Sequence, residues 1–184
     1  VEVARDIGWC DRDVFSLGRQ PEEQRLYELR FPLHHGDTIR REAARHAIDP
    51  AWVAAEIRAE SIFNPKARSG ANAMGLMQVL PGTGAGVAKR LGIPYAGASS
   101  LYDADTNIAI GTAYLREMED KYGVPYVAIS YKETREYVAR VLAFSVIYDW
   151  RLNGNALPVS DRMMGRVQAK RKAFTCPTAQ MPKS

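Results

Sequence analysis

Apolar and polar positions along this chain read as five helical segments, and almost no strand can be read from it. Asp37 is placed to cap a helix through Ile39 to Ile48. Asp49-Pro50, a capping residue followed by proline at the first helical position, starts a second helix from Pro50 to Glu60. Trp52, Val53, Ile57 and the alanines form its apolar side, and Asn64-Pro65 forbids its continuation. A shorter helix from Thr83 to Leu91 is broken by Gly92 and Pro94. The fourth opens at Asp103 or Asp105 and carries the stripe Ile108, Gly111, Leu115, Met118 and Tyr122; Gly123 ends it, with Lys121 in its last turn. The fifth, from about Glu133 to Leu152, turns Tyr137, Val138, Val141, Leu142, Phe144, Ile147 and Tyr148 inward and closes at Gly154.

The opening thirty residues are also helical in flavour but more polar, with Gly18 and Pro21 as breaks. Phe31-Pro32 reads as a boundary, dividing a helical extension over 1–30 from a domain over 31–184. A chain of 184 residues, 46% of them hydrophobic, is long and apolar enough to bury one full core. That excludes disorder as the main state. No run of eighteen apolar residues exists, so no membrane span is expected. The chain begins at Val1 without a methionine or a signal peptide, as a fragment or a mature form would.

The net charge of +4 is modest, and its most basic part is the stretch from Arg162 to Lys172. A solvated face accounts for it, with loose attraction to an anionic surface such as the cell wall or a membrane as the sharper reading. No nucleic-acid motif is present, and the aromatics do not interleave with the basic residues, so no nucleic-acid partner is expected. Two cysteines, Cys10 and Cys176, match no zinc or redox spacing, and no metal or cofactor is expected. In an oxidising compartment they would join the termini; in the cytosol they would be two buried thiols.

The chemistry concentrates between Glu60 and Pro81. An acid at the end of a helix is followed by an Asn-Pro stop, a small-residue loop with Ser69, and an apolar turn in which Gln78 is embedded. A lone Glu is ordinarily a surface residue paired with a neighbour such as Arg58. Here the negative end of the helix dipole and the apolar neighbours Ile57, Ala59 and Leu76 are both expected to favour the protonated acid, the form a general acid needs. Glycoside cleavage usually takes two carboxyl groups about 5–9.5 Å apart. No convincing second one is found: Glu56 lies one turn upstream and is expected to point away from the loop, while Asp103 and Asp105 serve as caps.

The block Glu-Ser-x-x-Asn-Pro, Ser69 nine residues after the acid, and Gly-Leu-Met-Gln ending at Gln78 eighteen after it resembles the catalytic signature of the lytic transglycosylases. These are lysozyme-like enzymes that cleave peptidoglycan. The resemblance covers roughly Leu29 to Trp150 and implies a mainly α, goose-type lysozyme-like catalytic domain with a helical N-terminal extension. In that family such an extension can be the end of a larger helical solenoid. It further implies that Glu60 protonates the glycosidic oxygen between MurNAc and GlcNAc, then deprotonates the sugar's C6 hydroxyl to close a 1,6-anhydro ring. Ser69 and Gln78 are assigned to substrate binding near the acid, although a loop cap and a satisfied turn residue would account for them structurally. Glu133, in Tyr-Lys-Glu-Thr-Arg-Glu-Tyr-Val, matches a position that binds the peptide stem, and also suits a helix N-terminus. Tyr137 in the same block is core or cleft wall. Peptidoglycan glycan strands are the implied partner, the periplasm the implied location, and a monomer the implied state; export in turn favours a Cys10–Cys176 disulfide.

The sequence departs from the pattern in one place. The family carries an Ala-Ala-Tyr-Asn-Ala-Gly-Pro-like motif whose tyrosine contacts the acid, but here Val127-Ala128-Ile129 runs straight into Ser130-Tyr131-Lys132-Glu133. Loss of that motif would cripple the site. Val127 to Ile129 is too short for a helix that ends sensibly, so a break in the chain near Ile129–Ser130 is expected instead. A hydrolytic goose-type lysozyme is the alternative within enzymes, and a non-catalytic wall-binding module the alternative outside them.

Overall fold

The computed structural model describes residues 31–122 and 132–163 together with residue 166, and the regular elements among them are all helical. In order they are α1 (Gly36–Arg45), α2 (Pro50–Ser61), α3 (Pro81–Leu91), a 3₁₀ turn (Ala98–Tyr102), α4 (Ala104–Tyr122), α5 (Lys132–Asn153) and α6 (Val159–Met163). The expected extension over 1–30, the Cys10–Cys176 pair and the expected break at Ile129–Ser130 lie outside the described residues.

α2 is the central helix. Ala51, Val53, Ala54, Ala55 and Ile57 are all fully buried, so it has no polar face along most of its length. Its alanines let neighbours approach closely, and α5 lies along it in the largest helix–helix contact among the described residues. Phe31, Phe144 and Tyr148 form an edge-to-face cluster at that contact, with ring centroids 5.5 and 6.1 Å from Phe31. The Arg58 guanidinium sits 5.4 Å from the Phe144 ring centre, so this residue of α2 is engaged with the cluster. α1 packs on α2 and α4, and α3 on α4 and the 3₁₀ turn.

The start of α2 follows the sequence reading: Asp49 Oδ1 accepts from the Ala51 amide at 2.9 Å, with Pro50 at the first helical position. α1 does not. It begins at Gly36 after a left-handed His35 (φ 59°), so Asp37 sits inside its first turn instead of capping it, and it ends at Arg45, short of Ile48. α3 starts at Pro81 rather than Thr83, using a proline at its first position. Asp103 does cap α4, its Oδ1 accepting from the Thr106 amide at 2.9 Å. α6 has no counterpart in the sequence reading: five residues are too few for any periodicity to show.

α6 is tied to the central helix by charge. Arg162, 3% exposed, donates to Asp49 Oδ2 at the start of α2 and stands 2.5 Å from Asp149 Oδ2 on α5. Asp149 is fully buried and also accepts from the Leu157 amide (2.7 Å) and Asn153 Nδ2 (2.6 Å). A buried ion cluster of this kind persists only because each charge has several partners.

Candidate active site

Two features of the backbone bring Glu60 to the surface. Ser61 Oγ donates back to the Ile57 carbonyl, and the chain then passes through two consecutive left-handed residues, Ile62 (φ 55°) and Phe63 (φ 62°). A left-handed conformation is unfavourable for a β-branched residue and persists only where the surroundings enforce it. Phe63 supplies that enforcement: it is 6% exposed and its ring packs 5.9 Å from that of Tyr148. Asn64 Oδ1 then accepts from the Lys66 amide at 2.9 Å, completing the reversal. The helix therefore stops one residue past Glu60 and leaves its carboxyl group exposed.

The loop that follows is folded on itself. The Gly75 amide donates to Ala67 O (2.9 Å), the Ser69 amide to Ala73 O (3.0 Å), and Met74 exchanges two backbone hydrogen bonds with Val79. Asn107, fully buried on α4, ties this loop to the core. Its Nδ2 donates to Met74 O (2.9 Å) and Leu101 O (2.8 Å), and its Oδ1 accepts from the Met77 amide (2.8 Å). Two of these bonds hold the loop and the third holds the 3₁₀ turn, so one side chain joins both to α4.

Gln78 is half-buried with φ 45°, and its Nε2 donates to Gly75 O (2.8 Å) and Ala67 O (3.2 Å). This leaves the amide oxygen without a partner among the described residues. Ser69 is exposed, and its Oγ accepts from the Ala73 amide at 3.0 Å. Both side chains thus do the bonding within the loop that a structural role predicts, and neither bonds Glu60 among the described residues. Glu133 lies in the first turn of α5, but its side chain is outside the described residues.

Tyr137 and Glu60 are brought together. The Tyr137 hydroxyl on α5 reaches Glu60 Oε1 at 2.5 Å and, at the same distance, Glu56 Oε2. The two carboxyl oxygens therefore lie no more than 5.0 Å apart. Two expectations are corrected here. A second carboxyl group does stand near the acid: Glu56 shares Tyr137 with Glu60, as the spacing of four residues on one helix face permits. The carboxyl group that the core desolvates is Glu56, 9% exposed, whereas Glu60 is exposed. Burial pushes Glu56 up to about 7; the hydrogen bond from Tyr137 opposes this and the negative charge of Glu60 adds to it. Tyr137, half-buried beside two acids, is held far above the usual phenol range by burial first and then by Glu56, so it remains a hydroxyl donor.

The sequence places Tyr137 only as core or cleft wall. From α5 its phenol reaches Glu60. The sequence offers Glu56 one turn before Glu60 and sets it aside; what it does not show is that Tyr137, on another helix, joins the two acids. Among the described residues no group of His, Cys, Asp or Glu is arranged to hold a metal ion, and no helix is long and apolar enough to cross a membrane.

A mainly α, lysozyme-like fold carries this site. Residues 37–143 match the transglycosylase SLT domain, and the chain belongs to that family. It is 32% identical over 171 residues to the soluble lytic murein transglycosylase of Escherichia coli K12, an alignment spanning 76% of this chain and 26% of that protein. Among solved structures, an inactive Glu-to-Gln mutant of the lytic transglycosylase Slt from Pseudomonas aeruginosa superposes with a TM-score of 0.66 at 30% identity, covering 86% of this chain and 30% of the other. The 70 kDa soluble lytic transglycosylase of Escherichia coli gives 0.63 at 30% identity, covering 83% and 30%. The chain thus spans about a quarter to a third of the length of these relatives.

Proposed function

We propose that this domain is a peptidoglycan lytic transglycosylase that cleaves the β-1,4 bond between MurNAc and GlcNAc without water. The observation that carries the reading is the exposed Glu60 carboxyl at the end of α2, gripped by Tyr137. Glu60 gives its proton to the glycosidic oxygen as that bond breaks. The resulting carboxylate, stabilised by the Tyr137 hydroxyl, takes the proton of the C6 hydroxyl as its oxygen attacks C1. The ring closes to a 1,6-anhydro sugar and Glu60 ends protonated, as it began. Glu56 is close enough to count as a second carboxyl group, but it is buried beside Glu60 on the same helix. A hydrolase instead uses a second carboxylate across the sugar from the acid to activate water.

The same reading gives Gln78 and Ser69 substrate contacts. The Gln78 amide oxygen suits the N–H of an acetamido group, and the Ser69 hydroxyl, having accepted from Ala73, keeps its own proton to donate. Glu133 is assigned to the peptide stem and Tyr137 to the acid as well as to the cleft wall. A peptidoglycan substrate calls for export to the periplasm, where the domain would act as a monomer. Mass spectrometry of the products released from purified sacculi tests the reading. Muropeptides ending in 1,6-anhydroMurNAc are expected; reducing ends would make the protein a hydrolytic goose-type lysozyme, and no release a wall-binding module.

A further inference from the structure

The phenol of Tyr137 has one proton, yet its oxygen lies 2.5 Å from a carboxyl oxygen on each side. At that separation an oxygen pair without an intervening proton is repulsive, because two sets of lone pairs face each other. One contact uses the phenol's own proton. The other needs a second proton, supplied by one of the two acids. Tyr137 reaches only Oε1 of Glu60, so the proton that Glu60 gives to substrate sits on its other oxygen and is not the one in this contact, whereas Glu56 is buried in the α2–α5 contact, where a charge is costly. The second proton therefore belongs on Glu56.

We propose that Glu56 is a positioning residue acting through Tyr137: in its carboxylic-acid form it donates to Tyr137 Oη and so directs the phenol's proton onto Glu60. The inference rests on Glu60 being the acid and base of the reaction. A Glu60 carboxylate that accepts from Tyr137 is the species present between the two proton transfers, so the arrangement favours the state through which the reaction passes. Ionised Glu56 would compete for the same phenol proton and turn it away from Glu60. Tyr137 on α5 and Glu60 on α2 are the titratable groups that act on Glu56. No covalent step is added, and the proton inventory of the reaction is unchanged.

The test is the pH dependence of kcat on solubilised peptidoglycan for the wild type, Glu56→Gln, Tyr137→Phe and the double variant, each normalised to its own maximum. The amide that replaces the carboxyl group in Glu56→Gln can donate to Tyr137 at every pH. The alkaline loss of activity should therefore move upward by at least about one pH unit in Glu56→Gln, the scale on which removing a neighbouring titrating group acts. Tyr137→Phe should lower kcat roughly tenfold or more, as loss of a hydrogen bond to a charged group does. In that background Glu56→Gln should no longer shift the profile. An unmoved alkaline limb in Glu56→Gln, or a shift that persists without the phenol, overturns the proposal. Should Glu56→Gln not fold, carbon-13 titration of the glutamate carboxyls in the wild-type protein decides the matter. Glu56 must titrate near neutrality with a matching response at Glu60, and titration in the ordinary carboxylate range is the overturning result. Activity retained by Glu60→Gln would instead remove the reading on which the proposal rests, leaving the carboxyl titration to report on Glu56 alone.

Discussion

Gly75 and Asn107 meet so closely that a Cβ on the glycine would lie 2.3 Å from Asn107 Nδ2. The same atom would lie 2.1 Å from the Leu101 carbonyl oxygen, and Gly75 has φ +77°. Glycine is therefore required twice over, by backbone conformation and by space. Gly75→Ala should cost about 3 kcal/mol or more, since both the left-handed strain and the displaced amide network contribute. In thermal denaturation this is a fall in Tm of roughly 10 °C for a chain of this size. A change of only a degree or two would mean that Asn107 can move without loss.

Glu60→Gln preserves shape and removes the transferable proton. Release of muropeptides from sacculi should fall by at least about 10²-fold, the usual scale of general acid–base catalysis. The melting temperature should barely change, because the carboxyl group is exposed and its contact with Tyr137 can be kept by the amide oxygen. Cleavage at the wild-type rate would take Glu60 out of the mechanism.

Folding stability should depend on pH through Glu56. Its folded value of about 7 lies above the ordinary 4.5, so the folded state holds this proton more tightly than the unfolded state. The contribution is fully present below pH 4.5 and is lost as pH rises to about 7. The total is on the order of 3 kcal/mol, from about 1.4 kcal/mol per pH unit of displacement. Urea midpoints measured across this window should decline for the wild type and lose that part of the slope in Glu56→Gln. Parallel curves for the two proteins would contradict it.

Removing the cation from the buried cluster should be costly. Arg162→Met leaves Asp149, fully buried, and Asp49 without their shared partner. Breaking a buried ion pair in this way typically costs about 3–5 kcal/mol. The effect should be seen in equilibrium unfolding at pH 7 and should shrink at low pH, where the aspartates can protonate. Equal losses at both pH values would point to packing instead of charge.

The helix from Pro50 to Glu60 is legible in the sequence because its signals are local. A capping Asp49, a proline at the first position and an Asn-Pro stop act within one turn of the backbone they control. The starts of α1 and α3 are misread for the complementary reason. His35 adopts a left-handed conformation that nothing in its own side chain demands, and Pro81, which looks like the end of a loop motif, opens a helix. The loop around Ser69 and Gln78 is legible as a motif, but its closure onto Asn107 is not. That contact spans 30 residues, and a buried asparagine in a helix looks in sequence like an exposed one.

The sequence by itself determined where the acid stands on its helix, where that helix must stop, and which amide and hydroxyl share its loop. Only the tertiary structure decided the state of the acids. Whether Glu56 or Glu60 is desolvated depends on how α5 lies against α2, and Tyr137, which joins them, is 77 residues from Glu60. Backbone conformation is set by neighbours along the chain. Burial and charge depend on neighbours in space, and a helical period alone does not tell which of two acids on one face the next helix will cover.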